Sequence, residues 1–275
     1  MHRQLDRPLR RVAIVAAVGA ATLLLTGCTT DENQATPDAD HTAIPEVALS
    51  APTRADAAEV PPIDVAGPRQ TPLADTVSCD YDPNGHSARP VAKPPTQSVP
   101  ATGSVDAQIE LRGSQLDVIL DRAKSPCAVN SFVSLANQGY FDSTVCHGIT
   151  TRGIHTLQCG DPTGTGTGGP GYSFSAEFPT DQLNNNTLER SAPVSGTTIY
   201  PRGTIAMDNS GTGTNGSRFF IVYADSPLPP LYTVLGEVSD DSMHSVDLIA
   251  DAGTNSAHSG APRYTVQILS VRIER

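Results

Sequence analysis

The sequence predicts a mainly β domain, a barrel or sandwich of short strands with two helices over its open ends. Three observations carry that expectation. Residues 105–111 (VDAQIEL) and 116–120 (LDVIL) alternate apolar and polar side chains, the period of a half-buried strand. Further runs of β-branched and apolar residues, GTIAM, RFFIVY, YTVLGEV and YTVQILSVRI, are separated by loops rich in Gly and Pro. Only two segments place apolar residues at helical spacing.

In chain order, the first two runs meet across Gly113 as a hairpin. A helix follows. Ser125 is its N-cap, Pro126 takes the first helical position, Val129, Phe132, Val133 and Ala136 line one face, and Gly139 ends it. The continuous run of residues 219–223, with Gly213 and Gly216 upstream, reads as a strand packed on both faces, which leaves Arg218 at its mouth on a rim. A second helix around residues 243–250 presents Met243, Val246, Ile249 and Ala250 before Gly253. Closing such a sheet on itself removes exposed strand edges.

The chain upstream differs in kind. Four arginines precede the apolar run 12–25, which is short for a membrane span and ends in LTGC, the pattern of a bacterial lipoprotein leader. Residues 1–27 are therefore expected to be removed and Cys28 lipidated. The formal net charge is −11, and loss of the leader makes the chain more acidic still, which argues against a nucleic-acid partner and leaves membrane attachment to the lipid. Twelve of the 23 prolines fall between residues 29 and 103. Residues 28–104 read as a Pro-rich disordered tether, with one segment, 78–91, that docks on the domain through a cysteine, a tyrosine and a Pro-Asn-Gly turn. The domain itself spans 105–275.

Besides Cys28 there are Cys79, Cys127, Cys146 and Cys159, an even set in an extracytoplasmic chain, so one or two disulfides are expected among three pairings. Their spacing does not suit zinc. Other chemistry is absent from the pattern. The loop GDPTGTGTGGPGY, residues 160–172, lacks the Gly-Lys-Ser/Thr of a phosphate-binding loop, and no Gly-x-Ser-x-Gly occurs.

Taken in order, PCAVNSFVSLANQGYFDSTVCH, LQCGDPTGTGTGGPGYSFSAEF, YPRGTIAMDNSGTGTNGSRFFIVY and SPLPPLYTVLGEV resemble the cyclophilins, peptidyl-prolyl cis-trans isomerases. They are most similar to the membrane-attached extracytoplasmic cyclophilins of actinobacteria. The resemblance implies a closed eight-stranded antiparallel barrel capped by two α-helices, with a peptide groove on one outer face and no cofactor or metal. It also implies disulfides Cys146–Cys159, on neighbouring strands, and Cys79–Cys127, stapling the docked segment to the first helix.

An X-Pro bond isomerises over a barrier of roughly 20 kcal/mol, so a catalyst needs a pocket for the prolyl ring, groups that hold the flanking backbone, and a cation donating toward the twisting nitrogen. By resemblance Phe220 is the pocket floor, Leu228 and Tyr232 its far wall, Gln158 and the backbone of Asn209 the peptide-holding groups. Here the chain departs from the family. Its catalytic arginine would follow His147, where Gly148 stands; the pocket's Phe-Met pair is His155 and Thr156; the glutamine after Asn-Gly-Ser is Arg218; and Asp208 replaces a small residue. The expectation is a monomeric isomerase of exported Pro-containing chains with reduced activity, Arg218 serving as displaced donor oriented by Asp208, with Arg152 the weaker candidate. The alternative is a non-catalytic module that binds Pro-containing segments.

Overall fold

The structure, a computed structural model, describes residues 63–183, 196–211 and 213–274. The expected leader, Cys28 and the tether up to residue 62 lie outside them. No helix among the described residues is long and apolar enough to cross a membrane.

The described chain opens with three two-residue strands, β1 (Thr76–Val77), β2 (Asp82–Pro83) and β3 (Val99–Pro100). The hairpin read from alternation is β4 (Ser104–Leu111) and β5 (Ser114–Asp121), whose burial alternates along both strands. Helix α1 (Pro126–Asn137) is followed by β6 (Thr144–Val145), β7 (Gly148–Arg152), β8 (Ile154–Cys159) and β9 (Tyr172–Ser175). Then come β10 (Thr198–Tyr200), β11 (Thr204–Gly211), β12 (Thr214–Val222), β13 (Ser226–Leu228) and β14 (Val234–Val238). Helix α2 (Asp240–Ala252), β15 (Ser259–Gly260) and β16 (Gln267–Ile273) complete the order.

The main sheet is antiparallel and curled, in the order β15-β7-β8-β12-β11-β14-β5-β4-β16-β6, with β9 paired to β12 off this path. The expected closed ring is not shown. Among the described residues no ladder pairs β6 with β7, which are joined only through Cys146 and His147, so the sheet is a half-barrel. Its concave face holds Ile109, Leu116, Leu120, Leu157, Ile205, Phe219 and Ile268, all nearly inaccessible, and α1 presses Phe132 against Phe219 at 5.5 Å between ring centroids. Burying each such side chain contributes roughly 1.5–3 kcal/mol.

Two local expectations are revised. Ser125 precedes α1 but makes no side-chain cap. The orphan amides of Cys127 and Ala128 instead donate to Glu177, at 3.1 and 2.8 Å, a residue 50 positions away that alternation could not point to. The last strand begins at Gln267 rather than at Tyr264, which is exposed.

Residues 63–103 form a strap along the domain. It includes the segment expected to dock, 78–91: β2 adds to the edge of β9, Cys79 is bonded to Cys127, and Tyr81 packs edge-on against Tyr172 and Phe174. Arg89 donates to the carbonyls of Gly139, Tyr140 and Asp142 at 2.7–2.9 Å. A cross-link closing 48 residues stabilises by about 4 kcal/mol in the chain-entropy account. At its leading end, Ile63 and Val65 are buried, and Lys124 donates to the carbonyls of Val65 and Ala66.

Candidate peptide-binding site

Register places the candidate residues on one face. Gly148 pairs with Gln158, Gln158 with Phe220 and Phe220 with Ala206, and directly opposed residues point to the same side of a sheet. Phe219, one residue earlier, points the other way into the main core. Phe220 belongs to a second apolar cluster outside the half-barrel, with Tyr200, Leu228 and Val234, and Tyr232 packed against it.

The apolar end of this face is tightly built. Phe220 is 3% exposed and meets the Tyr232 ring edge-on at 5.3 Å. Leu228 is buried at the end of β13. The Tyr200 hydroxyl donates to the Tyr232 carbonyl at 3.0 Å and accepts its amide at 3.2 Å, and burial pushes the Tyr200 phenol upward. Thr156 is buried and its hydroxyl lacks a protein partner; so does Nδ1 of His155, whose ring lies against Tyr223 and whose amide donates to Ser226. Thr156 shares the parity of Gln158 and Phe220, whereas His155, one residue earlier and against Tyr223 of the main core, points to the other face, so the structure does not bring His155 to the wall where resemblance had placed it.

The polar end is organised by charge. A Cβ on Gly148 would collide with Oε1 of Gln158, so the glutamine amide lies over the vacated position. Arg218 is held by three acceptors: its terminal nitrogens donate to the carbonyls of Gly166 and Asn209, and Nε lies 3.7 Å from Asp208. Both charged side chains remain about one-fifth exposed, at 19% and 20%. Burial raises the Asp208 carboxyl above its ordinary value, opposed by Arg218 and His147. Burial likewise lowers the His147 imidazole, against the pull of Asp161 and Asp208. Arg152 is directed elsewhere, to within 3.2 Å of His258. A cavity of about 410 Å³ opens beside Arg218, lined by Thr167, Gly168, Tyr172 and Gly216 with Asn84 and His86 of the strap.

One organising residue escaped the sequence reading. Asp161 accepts from the amides of Thr163, Thr165, Gly166, Thr167 and Gly168, so the Gly-rich loop winds around a carboxylate of its own chain. Burial opposes ionisation, but bonds from Thr163, Gly168 and Gly166 prevail and hold the group at about 2. An Asp-Pro pair opening a run of alternating Thr and Gly was the available signal. The four cysteines form Cys79–Cys127 and Cys146–Cys159. Among the described residues no cluster of His, Cys, Asp or Glu could hold a metal.

Residues 105–273 match the family model described as cyclophilin type peptidyl-prolyl cis-trans isomerase/CLD. A "Probable peptidyl-prolyl cis-trans isomerase B" of Mycobacterium leprae is 46% identical over 202 residues, 72% of this chain and 67% of that protein. Its namesake in Mycobacterium tuberculosis is also 46% identical, over 72% of this chain and 64% of its own length. The chain thus spans about two thirds of these relatives. A solved cyclophilin type isomerase of Cryptosporidium parvum is 24% identical with a TM-score of 0.47, covering 63% of this chain and 99% of its own.

Proposed function

Since the chain belongs to the cyclophilin-type peptidyl-prolyl cis-trans isomerase family, we propose that its domain isomerises X-Pro bonds in exported polypeptides, at a reduced rate, while tethered to the membrane through Cys28. The observation that carries this reading is the apolar cluster of Phe220, Leu228 and Tyr232 on the same face as Gln158 and Arg218. The prolyl ring fills the apolar end. Gln158, on the same face, holds the flanking backbone. A guanidinium has five N–H groups, so Arg218 retains donors after its three protein contacts, and one of them stabilises the pyramidal imide nitrogen. The rate is reduced because that donor is shared with backbone carbonyls rather than reserved for the twisted amide.

A second reading, a non-catalytic binding module, is favoured by the same engagement of Arg218 and by the glutamine lying over Gly148. A protease-coupled isomerisation assay on the full chain separates the two. Under the isomerase reading, Arg218→Ala lowers kcat/KM by about a hundredfold, the scale of losing one charge-stabilising donor. Under the binding-module reading the native chain is silent, binds Pro-peptides, and gains turnover with Gly148→Arg, whose side chain has only the mobile end of Gln158 to displace. Anchoring is tested separately: Cys28→Ala is expected to release the protein from membranes.

A further inference from the structure

We infer that the leading end of the strap, which precedes the stretch matching the family (105–273), positions the wall of the proline pocket, acting through β10. This rests on the peptide-binding reading above. Strand β10 is three residues long and pairs with β13 alone, in a two-stranded sheet separate from the main one. So short a ladder is not stable by itself, and its placement depends on what its side chains grip. Thr198 is buried and donates from Oγ1 to the Ile63 carbonyl at 2.6 Å, and it lies opposite Leu228. Tyr200, two residues on, holds both backbone groups of Tyr232 with its hydroxyl. One face of β10 therefore links the strap at one end to the two far-wall residues of the pocket.

The strap is a firm support at that point. Ile63 and Val65 are 8% and 2% exposed within the apolar cluster that contains Phe220 and Leu228. Lys124 binds the carbonyls of Val65 and Ala66, and Arg69 returns the grip by donating to the Lys124 carbonyl at 2.8 Å and to Asp181 at 2.6 Å. A wall displaced by about half an ångström no longer holds a ligand productively. Thr198 and Tyr200 are thus positioning residues: they act on the peptide only through Leu228 and Tyr232.

The test compares two near-isosteric changes in the full chain. Thr198→Val keeps the shape and removes the donor, whereas Thr198→Ser keeps the donor. Amide hydrogen exchange at Leu228 and Tyr232 is measured beside titration with a short Ala-Ala-Pro-Phe peptide, with amides of β12 as reference for global stability. For Thr198→Val, exchange at both residues is expected to rise about five-fold and peptide affinity to fall about five-fold, as for one lost hydrogen bond, with β12 unchanged. Thr198→Ser is expected to stay within about two-fold of native on both. Native exchange at Tyr232 in Thr198→Val, or equal effects of the two variants, would overturn the coupling. If exchange responds as expected while even the native chain ignores the peptide, the coupling stands and the peptide-binding reading falls.

Discussion

The two ends of the candidate groove are held by different physics. At the apolar end, Phe220, Leu228 and Tyr232 are fixed by close packing, an edge-on ring contact and the Tyr200 hydroxyl. At the polar end, Gly148, Gln158, Asp208 and Arg218 are arranged by charge and by hydrogen bonds to backbone carbonyls. Packing constrains shape steeply, so a pocket survives only if its volume and contacts are kept. A charge acts over a longer range and can be supplied from a neighbouring strand, so the polar end could be rebuilt from a different residue while the apolar end kept its floor.

If that contrast is right, the largest effect belongs to the apolar end. Phe220→Ala leaves a cavity in the second cluster and is expected to cost about 3–5 kcal/mol in denaturant unfolding and to abolish binding of Pro-peptides; retained binding would break the comparison.

A smaller effect comes from Glu177, next to Phe178 of the same cluster. Burial pushes its carboxyl up to about 7, against the amides of Ala128 and Cys127, from an ordinary 4.5. The folded state therefore holds this proton more tightly than the unfolded one. Its contribution is full below pH 4.5 and lost as pH rises through about 7. Thermal unfolding from pH 5 to 8 should show native stability declining relative to Glu177→Gln by on the order of 1–3 kcal/mol. A parallel pH dependence in the two proteins would remove Glu177 from the account.

The smallest effect sharpens the polar end. Asp208, raised by burial, protonates on acidification before an ordinary aspartate does and releases its hold on Arg218. The acid limb of kcat/KM is expected to flatten in Asp208→Asn, with only about a two-fold loss at neutral pH, as for a partly exposed ion pair. A native acid limb in the variant would show that Asp208 does not orient the guanidinium.

Legibility in the sequence followed the same division. Local period located β4, β5 and both helices, because alternation and 3.6-residue spacing are written in consecutive residues. The continuous apolar run 219–223 left open which ring faces which way; in the structure Phe219 enters the main core and Phe220 the second cluster. What could not be read was reciprocal satisfaction at long range. Glu177 serving the amides of α1, Tyr200 holding Tyr232 and Arg89 reaching Gly139 are pairs 32 to 50 residues apart, and none leaves a local pattern. Gly148 was visible as a missing arginine, but not that the Gln158 amide would settle over it.

Helix α1 carries a further consequence of its borrowed partners. It has no acidic residue in its first turn and no basic residue in its last, so its own sequence does nothing to offset the helix dipole. A carboxyl at its N-terminus arrives with Glu177, anionic only above about pH 7, and a cation near its C-terminus with Arg89, one downstream and one upstream of the helix. The helix is electrically complete only when both distant segments have arrived. Both ends of α1 are thus completed by segments outside it, and neither end can be accounted for from residues 126–137 alone.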